Sequence, residues 1–244
     1  MEQCFIENQG FNGFFFQGTK SPEKVIISVG GASCDEKTSI AMTGASTGAG
    51  YTLAAASLIS DISCVIPVVP YDYVMEGTTN NFKRLGKSVY TFHGQDLPFS
   101  IWSILDSGFF KVIKAALKNK VYGLKRFMRY GYDNNPVTEE SRIKVENMHA
   151  DVLFLSVKDD DGWPSDIAVP RMVKILKDAN YKYRVDYHIY EKASHALTDG
   201  LDDLSGTARW TFKHMLPAEK KYPRECEEAR QDSFKRIIKF IEEW

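Results

Sequence analysis

Residues 39–57 read as one unit. A short apolar strand over residues 39–43 runs into the turn Gly44-Ala45-Ser46-Thr47-Gly48, and a helix of small residues follows from Ala49 to about residue 59. G-x-S-x-G between a strand and a helix is the pattern of a nucleophile elbow. A serine is held out on a sharp turn, and the glycines leave room where a side chain would strike the neighbouring strand or helix. The helix behind Ser46 aims unpaired N–H groups at any anion that forms there. The run Ser63-Cys64-Val65-Ile66-Pro67-Val68-Val69 follows, apolar without alternation, as a strand buried on both faces requires. Strand, helix, strand in this order is a βαβ unit, so the sheet is expected to be parallel and the domain α/β.

The rest of the chain extends that sheet. Val25-Ile26-Ile27-Ser28-Val29 is a second unalternating run and ends in Gly30-Gly31-Ala32-Ser33, a loop suited to supply a second anion-binding N–H beside the elbow. Upstream, Phe5-Ile6 and Phe14-Phe15-Phe16 flank a Gly/Asn-rich turn and predict a strand pair at an antiparallel sheet edge. Asp151-Val152-Leu153-Phe154-Leu155-Ser156-Val157 predicts another buried strand, followed by a helix over 169–179 with Pro170 in its first turn. Residues 184–190 read as the last strand, and residues 224–244 as an amphipathic helix with Phe234, Ile237, Ile238 and Ile241 on its apolar stripe. Cys64 is expected in the core, and Pro67 to mark an irregularity near the end of its strand.

Residues 71–150 break the alternation. Turn signals flank a short predicted strand over 88–92, and a helical stretch rich in large apolar residues follows over 99–120. This region is expected to be a cap-like excursion from a single domain spanning 1–244, walling a substrate pocket. Its lysines and arginines read as a solvated helix face, with an anionic substrate tail as the alternative.

Bulk properties exclude several classes. The net charge of −1 gives no footing for nucleic acid, and no apolar run approaches the 18 residues or so of a membrane span. Cys4, Cys34, Cys64 and Cys226 lie far apart, so reduced thiols are expected rather than a zinc site. The first residues lack a basic segment followed by an apolar one, so no secretory signal is read and a cytoplasmic location is expected.

A serine hydroxyl needs a base, and the base an acceptor that fixes its tautomer. Of the five histidines, His93 and His149 fall in the excursion, His188 within a strand and His214 on a late helix. His195 follows the last strand, where the C-terminal edge of a parallel sheet carries it over Ser46. The acid should follow the preceding strand, where Asp159, Asp160 and Asp161 stand together. Three adjacent carboxylates also suit a solvated turn or a weak cation site.

The segments Gly44-Ala45-Ser46-Thr47-Gly48-Ala49, Lys158-Asp159-Asp160-Asp161-Gly162-Trp163-Pro164-Ser165 and Ser194-His195, with Ser141-Arg142-Ile143-Lys144-Val145-Glu146-Asn147, carry a resemblance. The chain resembles the α/β-hydrolase domain of the acyl-CoA thioester hydrolase and bile acid-CoA:amino acid N-acyltransferase family. The likeness implies that the second aspartate of the pair, Asp160, is the acid, and that Ser46, rather than the cysteine of the transferases, favours hydrolysis. One departure stands out. Only fourteen residues separate Gly31 from Ser46, where the family usually has several tens. The expectation drawn from this is that a segment between Gly31 and Ser39 is absent from the sequence, since losing a strand there would leave a gap in the sheet.

The reading is a serine hydrolase of carboxylic esters or thioesters. Ser46, Asp160 and His195 form its triad, and Thr47 with Gly31 or Ala32 its oxyanion hole. It needs no metal or organic cofactor. Its partner is a small acyl ester or thioester, acyl-CoA among the candidates, with oligomeric state open. The alternatives are a peptidase or acyltransferase on the same fold, or a non-catalytic binding protein.

Overall fold

A computed structural model describes residues 2–4, 13–15, 24–28, 39–78, 84–101, 137–158, 160, 162–198, 204–207, 209–210 and 216–244. In chain order the strands and helices are β1 (Glu2–Cys4), β2 (Gly13–Phe15), β3 (Lys24–Ser28), β4 (Ser39–Ala45), α1 (Thr47–Leu58) and β5 (Ile62–Val68). The short strands β6 (Glu76–Thr78), β7 (Arg84–Ser88), β8 (Thr91–Phe92) and β9 (Gln95–Asp96) follow. The chain then returns with β10 (Asp151–Val157), α2 (Ser165–Asp178), β11 (Val185–Tyr190), α3 (Pro217–Lys221) and α4 (Pro223–Glu243).

The central sheet has the order β11-β10-β5-β4-β3, and every neighbouring pair is parallel. Parallel strands need both faces covered, and the pleat sends alternate residues to opposite faces. Val152 and Phe154 of β10 join Val65 of β5 in one core with Leu53 and Ala56 of α1 and Val169, Met172 and Leu176 of α2. Leu153, Leu155 and Val157 join Cys64, Ile66 and Val68 in the other, closed by Ala229 and Phe240 of α4. Phe154 and Leu155 are both fully buried, and side chains of this size contribute about 1.5–3 kcal/mol each when removed from water. The fold is therefore a parallel sheet with helices on both faces, as the unalternating runs require.

Several local expectations are corrected. β1 covers Glu2–Cys4, Phe5-Ile6 lie outside the described residues, and β1 and β2 form a separate two-stranded ladder instead of an edge of the main sheet. The irregularity between β4 and β5 falls at Ile40/Ala41, not at Pro67, which pairs in register with Gly44. The strand expected over 88–92 is split, because the Tyr90 N–H turns back to the Ser88 hydroxyl at 3.1 Å. The helix expected from residue 99 does not begin there. Ser100 is extended, its N–H bonding Val74 O at 2.9 Å while its carbonyl accepts from Glu76, and residues 102–120 lie outside the described set.

α2 begins at Ser165 rather than at Val169, so Pro170 sits in its second turn, where its ring nitrogen has no hydrogen to donate to the helix. On α4, Phe234 is 50% and Ile238 40% exposed, so the buried stripe is instead Cys226, Ala229, Arg230, Ser233 and Phe240. The buried stripe is turned by about 80° around the helix from the expected one, and of the four expected residues the sheet accepts only Ile237 and Ile241, both partly buried.

The connection between β3 and β4 bears on the site. The two strands pair directly in parallel, Lys24 opposite Ser39 through Ser28 opposite Thr43, leaving no gap between them. The reason given for an absent segment, that a lost strand would leave a gap in the sheet, is thus not met, while residues 29–38, with Gly31 and Ala32, lie outside the described residues.

Candidate active site

Ser46 stands between β4 and α1 with φ 56° and ψ −122°. A non-glycine residue in that region costs about 1–3 kcal/mol, and such strain persists only where the surroundings over-determine it. Here they do. The Ser46 N–H is held by Val68 O of β5 at 3.0 Å, and the Ser46 carbonyl receives the N–H groups of Ala49 and Gly50 at 3.0 and 3.3 Å. The hydroxyl makes no cap bond to its own helix and is left to a different partner. Thr47, the first residue of α1, has a backbone N–H for which the helix offers no acceptor.

That partner is His195, in the loop after β11, whose Nε2 lies 2.8 Å from Ser46 Oγ. Its Nδ1 lies 2.7 Å from Asp160 Oδ1. Asp160 is completely buried, and its carboxylate is saturated with donors. Oδ1 also accepts from the N–H groups of Gly162 at 2.8 Å and Trp163 at 3.3 Å, and Oδ2 accepts from Ser165 Oγ at 2.5 Å. Ser165 in turn lies 3.0 Å from the buried Ser156 hydroxyl of β10. A chain of polar side chains thus runs Ser156, Ser165, Asp160, His195, Ser46. An ionised carboxylate is tolerated in a dry interior only when its lone pairs are met in this way.

Packing fixes the imidazole from the side. The Trp163 ring meets His195 edge-on, centroids 5.7 Å apart at 88°. A Cβ at Gly162 would overlap the imidazole, lying 2.6 Å from Cδ2 and closer still to Cγ and Nδ1. Only glycine lets the acid loop pass under the ring. The Trp163 indole N–H reaches Val69 O at 2.8 Å, and Val69, fully buried with φ 46°, follows the residue that holds the Ser46 N–H. A β-branched side chain at positive φ is a strained conformation, and here it couples the acid loop to the elbow.

The excursion contributes Tyr90. Its hydroxyl donates to Thr47 O at 2.5 Å, its ring meets Tyr51 edge-on at 5.7 Å, and burial pushes its phenol pKa well above the ordinary value. The segment 141–147 packs against the chain leaving β5, with Ile143 N bonded to Asp72 O at 2.9 Å and Arg142 paired to Glu139 and Glu146. Asp72 is itself buried against Arg171, and burial holds its pKa above the usual carboxylate value.

Ser46, Asp160, His195 and Thr47 are thus brought together. His93, His149 and His188 have other ring neighbours, Phe92, Tyr183 and Tyr190 respectively. Asp159, Asp161 and His214 lie outside the described residues, as do Gly31 and Ala32. Among the described residues no cluster of three His, Cys, Asp or Glu side chains could hold a metal ion, and no helix is long and apolar enough to cross a membrane. Sequence reasoning assigned no part to Tyr90, Ser156, Ser165 or Val69. Of these only Ser165 carried a signal, as the last residue of the Asp-Gly-Trp-Pro-Ser segment.

A parallel sheet with an elbow serine at the end of one strand and the acid and histidine after its last two strands is the architecture of the α/β-hydrolases. The chain belongs to the BAAT / acyl-CoA thioester hydrolase C-terminal family, whose sequence pattern matches residues 33–243. No curated protein matches it in sequence. Solved structures similar to it include a protein assigned as a dienelactone hydrolase from Klebsiella pneumoniae, 14% identical, with 86% of this chain and 55% of that one covered at a TM-score of 0.41. Others are an acylaminoacyl peptidase from Pyrococcus horikoshii (15% identical, 66% and 21% covered, TM-score 0.37) and acetyl xylan esterase 1 from Thermoanaerobacterium sp. (16% identical, 75% and 48% covered, TM-score 0.32). The chain therefore spans between 21% and 55% of the length of these proteins.

Proposed function

We propose that the protein is a serine hydrolase of carboxylic thioesters and esters. The observation that carries this is the continuous contact from Ser46 Oγ to His195 Nε2 and from His195 Nδ1 to Asp160, at 2.8 and 2.7 Å. Membership in a family described by acyl-CoA thioester hydrolysis favours a thioester, acyl-CoA among the candidates. In this reading His195 takes the proton of Ser46 as Oγ attacks the acyl carbonyl. The carbonyl π electrons move onto oxygen, and the Thr47 N–H at the head of α1 stabilises the oxyanion, with a second donor from Gly31 or Ala32. Each such donor contributes about 3 kcal/mol. Asp160 holds His195 in the tautomer with the proton on Nδ1 and balances the imidazolium charge.

Collapse of the tetrahedral species breaks the bond to the leaving sulfur or oxygen, and His195 returns the proton to it. The acyl-enzyme is then hydrolysed by water through the same steps. Nothing in this sequence calls on a metal or organic cofactor. Residues 71–150 act as the cap over the acyl pocket, with Tyr90 as their anchor on the elbow.

The test is labelling by a fluorophosphonate, followed by a panel of acyl-CoA, p-nitrophenyl ester and aminoacyl substrates. Labelling at Ser46 and turnover of thioesters are expected. Ser46→Ala should abolish both, and Asp160→Asn should lower turnover about 10⁴-fold, while Asp159→Asn and Asp161→Asn retain most of it. A folded protein that resists labelling points to a binding protein. Turnover confined to aminoacyl substrates, or transfer to an amine, points to a peptidase or an acyltransferase.

A further inference from the structure

His195 must keep its ring within hydrogen-bond reach of both Ser46 and Asp160, yet it sits in a loop with neither helix nor strand of its own. Within the loop the Leu197 N–H bonds its carbonyl at 3.0 Å. The loop is secured instead by side chains from α3 and α4. Ser194 Oγ, one residue before the histidine, donates to Glu219 Oε1. Arg230 Nη1 donates to the same Oε1 at 2.7 Å and to the Ala196 carbonyl, one residue after the histidine, at 3.4 Å. Ser233 Oγ donates to the Leu197 carbonyl at 2.8 Å. The loop is therefore tied on both sides of His195 to one carboxylate–guanidinium pair and one hydroxyl.

The pair is unusual for where it lies. Glu219 is 2% and Arg230 3% exposed, and Glu219 Oε2 has no hydrogen-bond partner among the described residues. Buried ion pairs add little stability over apolar residues of the same volume, because desolvation offsets their attraction. The neighbours Ala229 and Phe240 show that α4 meets the sheet elsewhere through apolar contacts. What the charged pair supplies, and an apolar pair cannot, is directional hydrogen bonding to Ser194 and Ala196.

We propose that Glu219 and Arg230, with Ser194 and Ser233, form a clamp that positions His195 over Ser46. Resting on the serine-hydrolase reading above, it makes these four positioning residues, which touch neither substrate nor the reacting atoms. The C-terminal helices thereby become part of the catalytic apparatus.

The test uses the full chain and three variants. Glu219→Leu/Arg230→Met removes both buried charges together and keeps the volume, so folding is expected to survive, whereas the ties to Ser194 and Ala196 are lost. Ser194→Ala removes one tie with a single atom. Arg230→Lys keeps the charge and a donor. A clamp predicts that the double variant, well below its melting temperature, loses about 10- to 100-fold in kcat for a p-nitrophenyl ester and in the rate of fluorophosphonate labelling, with KM nearly unchanged. Ser194→Ala should show a smaller loss in the same direction, and Arg230→Lys should retain most of the rate.

The low-field NMR resonance of the His195 Nδ1 proton, held by Asp160 in the wild type, should weaken through exchange in the double variant. A folded double variant with wild-type labelling rate and an unchanged resonance overturns the clamp. If the double variant does not fold, Ser194→Ala decides by the same two readings. A wild-type protein that resists labelling sinks the hydrolase reading alone, and the resonance still decides whether the clamp holds the imidazole.

Discussion

Gly162→Ala isolates the geometry of the candidate triad from its chemistry. Gly162 does not have a left-handed φ, so alanine brings no backbone strain, and the new methyl acts only through space. It would stand 2.6 Å from His195 Cδ2 and nearer to Cγ and Nδ1, whereas carbon atoms rest about 3.5–4.0 Å apart. The ring must retreat by about 1 Å, which carries contacts now at 2.7 and 2.8 Å past the limit of about 3.2 Å for a useful hydrogen bond.

Misplacement of that size costs about 100-fold in rate, or about 2.7 kcal/mol of barrier. Overpacking costs about 1–3 kcal/mol of stability, and for a domain of this size each kcal/mol lowers Tm by about 2–4 °C. The variant should therefore stay folded at 25 °C while its fluorophosphonate labelling slows about 100-fold, followed by intact mass and referred to a melting curve of the same sample. Labelling at the wild-type rate in folded Gly162→Ala would refute the argument that this close approach fixes His195.

The other expectations can be read in similar assays. Gly50→Ala puts a methyl 2.6 Å from the Tyr90 hydroxyl, so it should break the bond to Thr47, cost about 1–3 kcal/mol and slow labelling, whereas an unchanged Tm would show that the excursion yields freely. Ser165→Ala leaves Asp160 Oδ2 without its donor. A cost of about 2 kcal/mol is expected, seen as a Tm about 4–8 °C lower, and no change in Tm would exclude the serine from holding the acid. Burial, with a smaller contribution from Arg236, holds the His188 imidazole below its ordinary pKa of 6.5. The folded state therefore disfavours its protonation, and stability is lost as pH falls below 6.5 toward the lowered folded value. Replacing it by glutamine should remove that loss, so urea midpoints of variant and wild type should converge or cross between pH 7.5 and 5; a constant gap would contradict it.

Much of the site is legible in residue order because the fold turns order into position. In a parallel sheet every strand ends on the same edge, so residues just after β4, β10 and β11 converge whatever lies between them. That is why Ser46, Asp160 and His195 can be proposed together although 149 residues separate the serine from the histidine. The sheet itself is legible from unalternating runs such as residues 151–157, because burial on both faces leaves no room for polar alternation. The α4 stripe misleads for the converse reason. A helical period says which residues share an arc, but Phe234 and Ile238 stay exposed because the sheet surface beneath α4 accepts only part of it.

By itself, then, the sequence determined the class of fold, the elbow and the order of the chemical groups, since each depends on local pattern and on chain direction. Only the tertiary structure decided what holds those groups still. Tyr90 reaches the elbow from 43 residues away, Ser165 completes the coordination of Asp160, and Glu219 and Arg230 meet at the loop of His195. Apart from the local bond of Ser165 to Asp160, these contacts join segments distant in sequence through residues whose types are ordinary and whose spacing follows no period. They exist only once the two cores have packed and closed the distances between them.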